Sequence, residues 1–138
     1  MKRNVTMILA MTLVAASLVS TAVAADAPAD RVVAMYFHRT KRCPTCQKMG
    51  SYSEEAVKKQ LAKEVKAGTV EFHYIDFQNQ KNAALKKAYK VTGPALVVAK
   101  VEANKVKEFK SLKEIWAKVG EKPKFMAYVV DNVKAYMK

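Results

Sequence analysis

Two cysteines three residues apart, Cys43 and Cys46 in the sequence Cys-Pro-Thr-Cys, are the residues whose types and spacing most directly indicate chemistry. A cysteine at the start of a helix is pushed towards the reactive thiolate, because the amide dipoles and free N–H groups there favour negative charge. Pro44 suits the first turn of a helix, where its missing N–H needs no partner. Cys46 would then lie one turn deeper and could attack a mixed disulfide formed at Cys43. The pair therefore predicts a redox site in which Cys43 attacks and Cys46 resolves.

Two other roles for the cysteine pair stay open at this point. A structural staple is one, although closing a four-residue loop contributes only about 2 kcal/mol against about 4.7 kcal/mol for a hundred-residue loop. The other is a carrier of a soft metal or metalloid, since paired thiols bind ions such as Cu(I) and Met35, Met49 and His38 lie near in sequence. Core packing is the preferred interpretation of the two methionines. A closed zinc site would need both His38 and His73, and His73 lies in mid-strand, so we expect no metal and no cofactor.

The cysteines need a strand before them and a helix after them. Residues 32–38 form a continuous apolar run, which is typical of a strand buried on both faces. The following helix is predicted to begin at the motif, to break or kink at Gly50 and Ser51, and to restart with Ser51 or Ser53 as a cap. Gly68 is expected to end it.

The rest of the sequence predicts three more strands and three more helical segments. The strands are expected at residues 69–77, 95–102 and 105–109, and the helices at residues 80–89, 112–119 and 123–137. A strand-helix-strand unit requires a parallel pair, whereas the hairpin adds an antiparallel edge. The cysteines are thereby placed at the carboxyl end of the first strand, the edge at which open α/β sheets build their sites.

These features resemble the thioredoxin superfamily: the strand at 32–38, the Cys-Pro-Thr-Cys helix start, and Gly93-Pro94 before the third strand. The resemblance covers most of the chain after its N-terminal segment. It implies an α/β minimal thioredoxin fold, β-α-β-α-β-β-α, with a C-terminal helical extension. It also implies that Pro94 follows a cis peptide bond beside the cysteines, and that the backbone of Gly93 pairs with a bound substrate strand. Gly93 and Pro94 are therefore the predicted substrate-binding residues.

The sequence departs from the thioredoxin pattern around the motif. Arg42 stands where thioredoxin has a tryptophan, and residues 35–42 contain no acid that could match the family's buried carboxylate. Proton transfer from Cys46 would then fall to water or to His38. Arg39, Lys41 and Arg42 add positive charge, screened by solvent, beside the helix start. Arg42 and His38 are the candidate modulators of the site.

The first 24 residues have the pattern of a secretory signal peptide. A basic start, Met1-Lys2-Arg3, precedes an apolar stretch at 5–19 and a run of small residues that suits cleavage after Ala24. An uncleaved membrane anchor is the alternative. Residues 25–31 have the composition of a linker, and 32–138 are expected to form one thioredoxin-like domain. Export places the cysteines in an oxidising compartment, periplasmic or otherwise extracytoplasmic.

The chain is strongly basic, with 25 Lys and Arg against 12 Asp and Glu and a formal net charge of +13. Such a charge can indicate nucleic-acid binding. Export and the interleaving of lysines with glutamates favour a solvated surface instead, and contact with anionic lipid or an acidic partner is the alternative. The expected partners are protein thiols and disulfides, with no nucleic acid, no membrane span after cleavage and a monomeric state. The sequence thus predicts a thiol-disulfide oxidoreductase of a bacterial-type cell envelope. The direction of electron flow is left open, because about 30 mV corresponds to only 1.4 kcal/mol.

Overall fold

A four-stranded mixed sheet forms the centre of the molecule in a computed structural model, which describes residues 27–138. The strands are β1 (Arg31–His38), β2 (Val70–Asp76), β3 (Ala95–Glu102) and β4 (Lys105–Ser111), in the spatial order β2-β1-β3-β4. β1 is parallel to β2 and antiparallel to β3, and β3 pairs with β4 as a hairpin. β1 is hydrogen-bonded on both sides and its apolar run packs on both faces. The motif that follows β1 is therefore held by the most constrained strand of the sheet.

Five α-helices and one 3₁₀ turn complete the described chain. The helices are α1 (Pro44–Gln60), α2 (Ala62–Ala67), α3 (Ala83–Ala88), α4 (Ile115–Lys118) and α5 (Lys122–Tyr136), and the 3₁₀ turn is Gln80–Asn82. One core cluster joins α1 and α5 to the sheet through residues such as Tyr36, Met49 and Phe125. The second cluster, on the other face, includes Met35 and Phe37 and is covered by Leu85 and Tyr89 from the α3 region. The sheet is thus sandwiched between helical layers of unequal size.

The predicted element order is confirmed, including the parallel pair, the antiparallel hairpin and the helical C-terminal segment. Gly68 ends α2 in the left-handed conformation, with φ of 76°, as expected. The hairpin turns at Ala103 and Asn104, which both have positive φ. The residues before β1 are tied to this turn, because Asp30 Oδ1 accepts a hydrogen bond from the N–H of Ala103.

The predicted break at Gly50 and Ser51 is wrong, since α1 runs unbroken to Gln60 and the interruption falls at Leu61. Ser53 does not cap a new helix; its hydroxyl donates to the Met49 carbonyl within α1 at 2.7 Å. Gly50 serves close packing instead. A Cβ there would lie 2.9 Å from ring carbons of both Tyr36 and Tyr74, so only glycine lets α1 approach the sheet this closely.

The predicted signal peptide and the first part of the predicted linker lie outside the described residues. Within residues 27–138, no helix is long and apolar enough to cross a membrane.

Replacing Gly50 by alanine should destabilise the fold in spite of alanine's higher helix propensity. The new methyl group would clash with two aromatic rings, and overpacking of this kind typically costs about 1–3 kcal/mol. Gly120→Ala is the matched control, because a Cβ at Gly120 meets no atom within 4 Å. Urea unfolding should show a lowered midpoint for Gly50→Ala and an unchanged or raised midpoint for Gly120→Ala. Equal effects of the two substitutions would contradict the close-packing role of Gly50.

Candidate functional site

Cys43 and Cys46 form a disulfide at the N-terminal end of α1, with their Cα atoms 5.1 Å apart. Cys43 is the N-cap residue in an extended conformation, and its sulfur accepts a hydrogen bond of 3.1 Å from the N–H of Cys46. Pro44 is the first residue of α1, as predicted. Cys43 is exposed, whereas Cys46 is buried at 7% exposure. An incoming thiol or disulfide therefore reaches the Cys43 sulfur first, which is the geometry that the predicted attacking and resolving roles require.

Tyr36, which the sequence indicated only as part of an apolar strand, lies on β1 and contacts the cysteine motif from the core. Its hydroxyl donates a hydrogen bond of 2.7 Å to the carbonyl of Cys46 inside the core. Burial raises the pKa of Tyr36 to about 12, with a smaller rise from Tyr74 and an opposing influence from Arg42. The phenol therefore keeps its proton throughout the physiological range and remains a donor. The first turn of α1, which contains the buried Cys46, is fixed to the central strand β1 by this hydrogen bond.

Arg42 is anchored next to the motif by an aromatic ring. Its guanidinium carbon lies 5.1 Å from the ring centroid of Tyr74, a cation–π geometry. The Tyr74 hydroxyl donates to Glu54 on α1 at 3.0 Å. Burial raises the pKa of Tyr74 to about 12, Glu54 adds to the rise, and Arg42 opposes it. The residue that replaces the expected tryptophan before the motif is thus held in place by packing.

The loop between β1 and α1 is fixed to the end of β2. The Thr40 hydroxyl donates to Asp76 at 2.7 Å, and the Thr40 N–H donates to the Gln78 side-chain carbonyl at 3.0 Å. The hydrogen bond from Thr40 holds the pKa of Asp76 below its usual range, and the Gln78 N–H acts in the same direction. The carboxylate therefore stays ionised and keeps the loop anchored. Arg39, Lys41 and Arg42 are presented from this anchored loop.

A small groove of about 230 Å³ opens over the disulfide, and we call it the cysteine groove. Its lining consists of Arg39, Lys41, Arg42, Cys43, Cys46, Pro94 and Trp116. The structure therefore brings Pro94 to the cysteines, where a substrate-binding residue would have to lie. Gly93 lies just beyond, in the neighbouring groove that also includes Pro94.

The expectation of a cis bond before Pro94 is wrong, since the described residues contain no cis peptide bond. Trans is the preferred isomer of an X–Pro bond by about 0.5–1 kcal/mol, and cis needs a local constraint to prevail. No crowding supplies such a constraint at Gly93, where an added Cβ would meet no atom within 4 Å.

The other residues considered for the site do not line the cysteine groove. His38 is buried, its Nδ1 lies 2.9 Å from the Arg39 carbonyl, and it does not line the cysteine groove. Because that carbonyl can only accept, Nδ1 carries the proton. Met35 and Met49 belong to core clusters on opposite faces of the sheet. His73 lies exposed on β2 beside Glu71. Among the described residues there is no group of three or more His, Cys, Asp or Glu side chains that could hold a metal.

Sequence reasoning missed three contributors to the site: Tyr36, Thr40 and Trp116. A tyrosine within a fully apolar strand is a signal, because its hydroxyl must find a partner when buried. The pairing of Thr40 with Asp76 depends on two strands meeting at one edge, which local sequence does not encode. Trp116 falls within the helix predicted at residues 112–119, and its 47% exposure beside the cysteines is seen only in the folded chain.

Comparison with known proteins gives an extensive match to a family. The family model described as thioredoxin matches residues 20–135. A solved structure, the solution structure of a thioredoxin from Thermus thermophilus, is similar at 21% identity with a TM-score of 0.39, covering 66% of this chain and 72% of that one. No curated protein matches the chain.

Removing the Tyr36 hydroxyl should weaken the fold without removing the cysteines. Tyr36→Phe leaves the ring packing in place but deletes the donor to Cys46, which should cost about 0.5–1.5 kcal/mol. The measurement is the free energy of unfolding of the oxidised protein in urea. Tyr136→Phe is the control, at a half-buried tyrosine whose hydroxyl makes no hydrogen bond within residues 27–138, and an equal loss there would deny any special role for the Tyr36 contact.

The two thiols of the reduced protein should differ strongly in accessibility. Brief alkylation with iodoacetamide at mildly acidic pH should modify Cys43 well before Cys46, because Cys43 is exposed at the helix start and Cys46 is buried. Peptide mass mapping of the singly labelled protein reads out the order. Labelling of Cys46 first would reverse the two assigned roles.

Proposed function

Since the chain belongs to the thioredoxin family, we propose that it is an exported thiol-disulfide oxidoreductase of the cell envelope, exchanging electrons with cysteines of other proteins through Cys43 and Cys46. One observation carries the proposal: the disulfide is asymmetric, with an exposed sulfur at the N-terminus of α1 and a buried sulfur one turn further on. Such an arrangement exposes one sulfur to a partner and keeps the second for the next step.

The reaction needs both thiols in sequence. In the reduced protein, the Cys43 thiolate attacks one sulfur of a partner disulfide, forming a mixed disulfide and releasing the first partner thiolate. The Cys46 thiolate then attacks the Cys43 sulfur, which forms the Cys43–Cys46 disulfide and releases the second partner thiolate. Two electrons pass from this protein to the partner. The reverse sequence oxidises a partner dithiol.

The surroundings of Cys43 favour its thiolate. The N–H of Cys46, which donates to the Cys43 sulfur in the disulfide, can serve a negatively charged sulfur in the reduced state. The positive end of the α1 dipole acts in the same direction. No carboxylate lines the cysteine groove within residues 27–138, so water and His38 are the acceptors that the proposal offers for the Cys46 proton.

The envelope location in this proposal is supported by the sequence. The basic, apolar and small-residue segments at positions 1–24 have the order of a secretory signal peptide. In an oxidising compartment, exchange with partner proteins rather than with cytosolic reductants would set the ratio of disulfide to dithiol at Cys43 and Cys46.

A cysteine trap tests the proposal. Cys46→Ser should accumulate mixed disulfides through Cys43 when the reduced protein meets a disulfide-bonded protein substrate, because the resolving thiol is missing. Cys43→Ser is the matched control and should trap little or nothing, since its remaining thiol is buried. Non-reducing electrophoresis and mass spectrometry identify the linked species, with metal-free protein in every arm.

The outcome also separates an oxidoreductase from a soft-metal carrier. A carrier needs both sulfurs as ligands at once, so either substitution would abolish Cu(I) binding equally. Absence of mixed disulfides with Cys46→Ser, together with tight Cu(I) binding by the wild type that either substitution abolishes, would overturn the oxidoreductase proposal.

A further inference from the structure

The cysteine groove does not end at the disulfide. A larger groove of about 590 Å³ shares Pro94 and Trp116 with it and extends along β3 and β4 to Phe109 and Tyr89. Because the two depressions share these two residues, they adjoin each other, and together they lead from Cys43 to Phe109. We call this surface the docking track.

Every charged side chain that lines the docking track is basic. Arg39, Lys41 and Arg42 flank the cysteines, and Lys90 and Lys113 flank the larger groove. None of these five forms an ion pair within residues 27–138, whereas other lysines pair with glutamates, as Lys58 does with Glu54 and Lys122 with Glu55. The five basic side chains of the track therefore have no ion-pair partner within the described residues, and the acid bonded to their loop, Asp76, accepts from Thr40 rather than from any of them.

A third depression shows that this bias is not a simple result of the basic composition. The depression lies at the opposite end of the sheet, has a volume of about 440 Å³, and is lined by both signs of charge. Asp30 and Glu102 stand there beside Arg31, Lys100 and Lys138. The Lys100 and Glu102 side chains form an ion pair of 3.1 Å. Positive charge without a compensating acid is therefore a property of the track that leads to the cysteines.

The track also offers apolar surface. Trp116 is 47% exposed and Phe109 is 37% exposed, which makes them two of the most exposed large apolar side chains in the described part of the chain. The Phe109 ring packs edge-on against Tyr89 with centroids 5.1 Å apart, so it is held in place rather than free. A bound polypeptide would therefore contact both aromatic surface and basic side chains.

We propose that the docking track binds an acidic polypeptide segment of the redox partner, with aspartate or glutamate residues flanking the cysteine that exchanges with Cys43. The proposal rests on the proposed function and adds the class of substrate. Charge complementarity raises the rate at which such a segment reaches the sulfur and disfavours basic partners. Lys41, Lys90 and Lys113 set this preference, and Trp116 supplies apolar contact next to the disulfide.

The experiment compares three peptide dimers, each joined by one disulfide, with glutamate, glutamine or lysine on both sides of the cysteine. The reduced wild-type protein is mixed with each dimer, quenched in acid, and the released peptide thiol is quantified by chromatography. Each rate constant is divided by the rate constant for cysteamine, whose ammonium thiolate has no net charge, so that differences in the intrinsic reactivity of the peptides are removed. The Glu-to-Lys ratio of these normalised rates should be about tenfold or more at low salt. It should approach one near 1 M salt, where screening acts within about 3 Å.

Two charge-reversed variants with the same change in net charge locate the effect. Lys41→Glu/Lys113→Glu alters the docking track and should bring the ratio to one or invert it. Lys63→Glu/Lys66→Glu alters α2, beyond the far end of α1 and about 25 Å from Cys43 by helix length, and should keep most of the preference. Any change in the reactivity of the Cys43 thiolate cancels in the ratio, because it affects all three peptides alike.

The possible results are distinct. Equal normalised rates for the three peptides with the wild type would overturn the acidic-partner proposal while leaving the oxidoreductase proposal intact. Equal loss of preference in both variants would overturn it too, because net charge alone would then account for the effect. Failure to reduce any peptide would instead contradict the proposed function itself.

Discussion

The hydrogen bond from Tyr36 to the Cys46 carbonyl is the contact on which the site depends, because it joins the central strand to the first turn of α1. It forms only because α1 lies close to the sheet, and the missing side chain of Gly50 permits that approach. With the helix start fixed, one sulfur stays in the core and the other faces solvent. The difference between the two cysteines is therefore a consequence of how the helix packs on β1.

The distribution of charge gives the site its second property. Salt bridges on the helices use glutamates at positions away from the cysteines, and the bond between Thr40 and Asp76 binds an acid to the anchored loop. The loop itself presents only basic side chains to the groove. The strongly basic chain thus places basic side chains that form no ion pair within residues 27–138 at the point where a partner would approach. Packing makes the two sulfurs unequal, and in our proposal the charge favours acidic partners.

Local patterns were sufficient to predict the element order and the helix start, because periodicity, Pro44 and Gly68 act within a few residues. They failed at Gly50, where a glycine that looked like a helix break is required by rings on β1 and β2. The position of Pro94 in the groove of the cysteines followed from the family resemblance rather than from the residues themselves, and the peptide bond before Pro94 is trans. Tyr36, Thr40 and Trp116 contribute through contacts between distant segments, which a single sequence does not encode. The error at Gly50 and these omissions share one cause, namely tertiary packing.

The reduction potential of the Cys43–Cys46 pair tests the central claim most directly. Metal-free protein is equilibrated in thiol-disulfide buffers of graded potential, quenched with acid and alkylated. Mass spectrometry then gives the fraction of reduced protein at each potential. A redox-active pair should give a reversible two-electron transition between about −120 and −270 mV, the range spanned by thiol-disulfide oxidoreductases. A pair that stays oxidised below about −300 mV, as structural disulfides do, would show that the bridge is a staple and contradict the account.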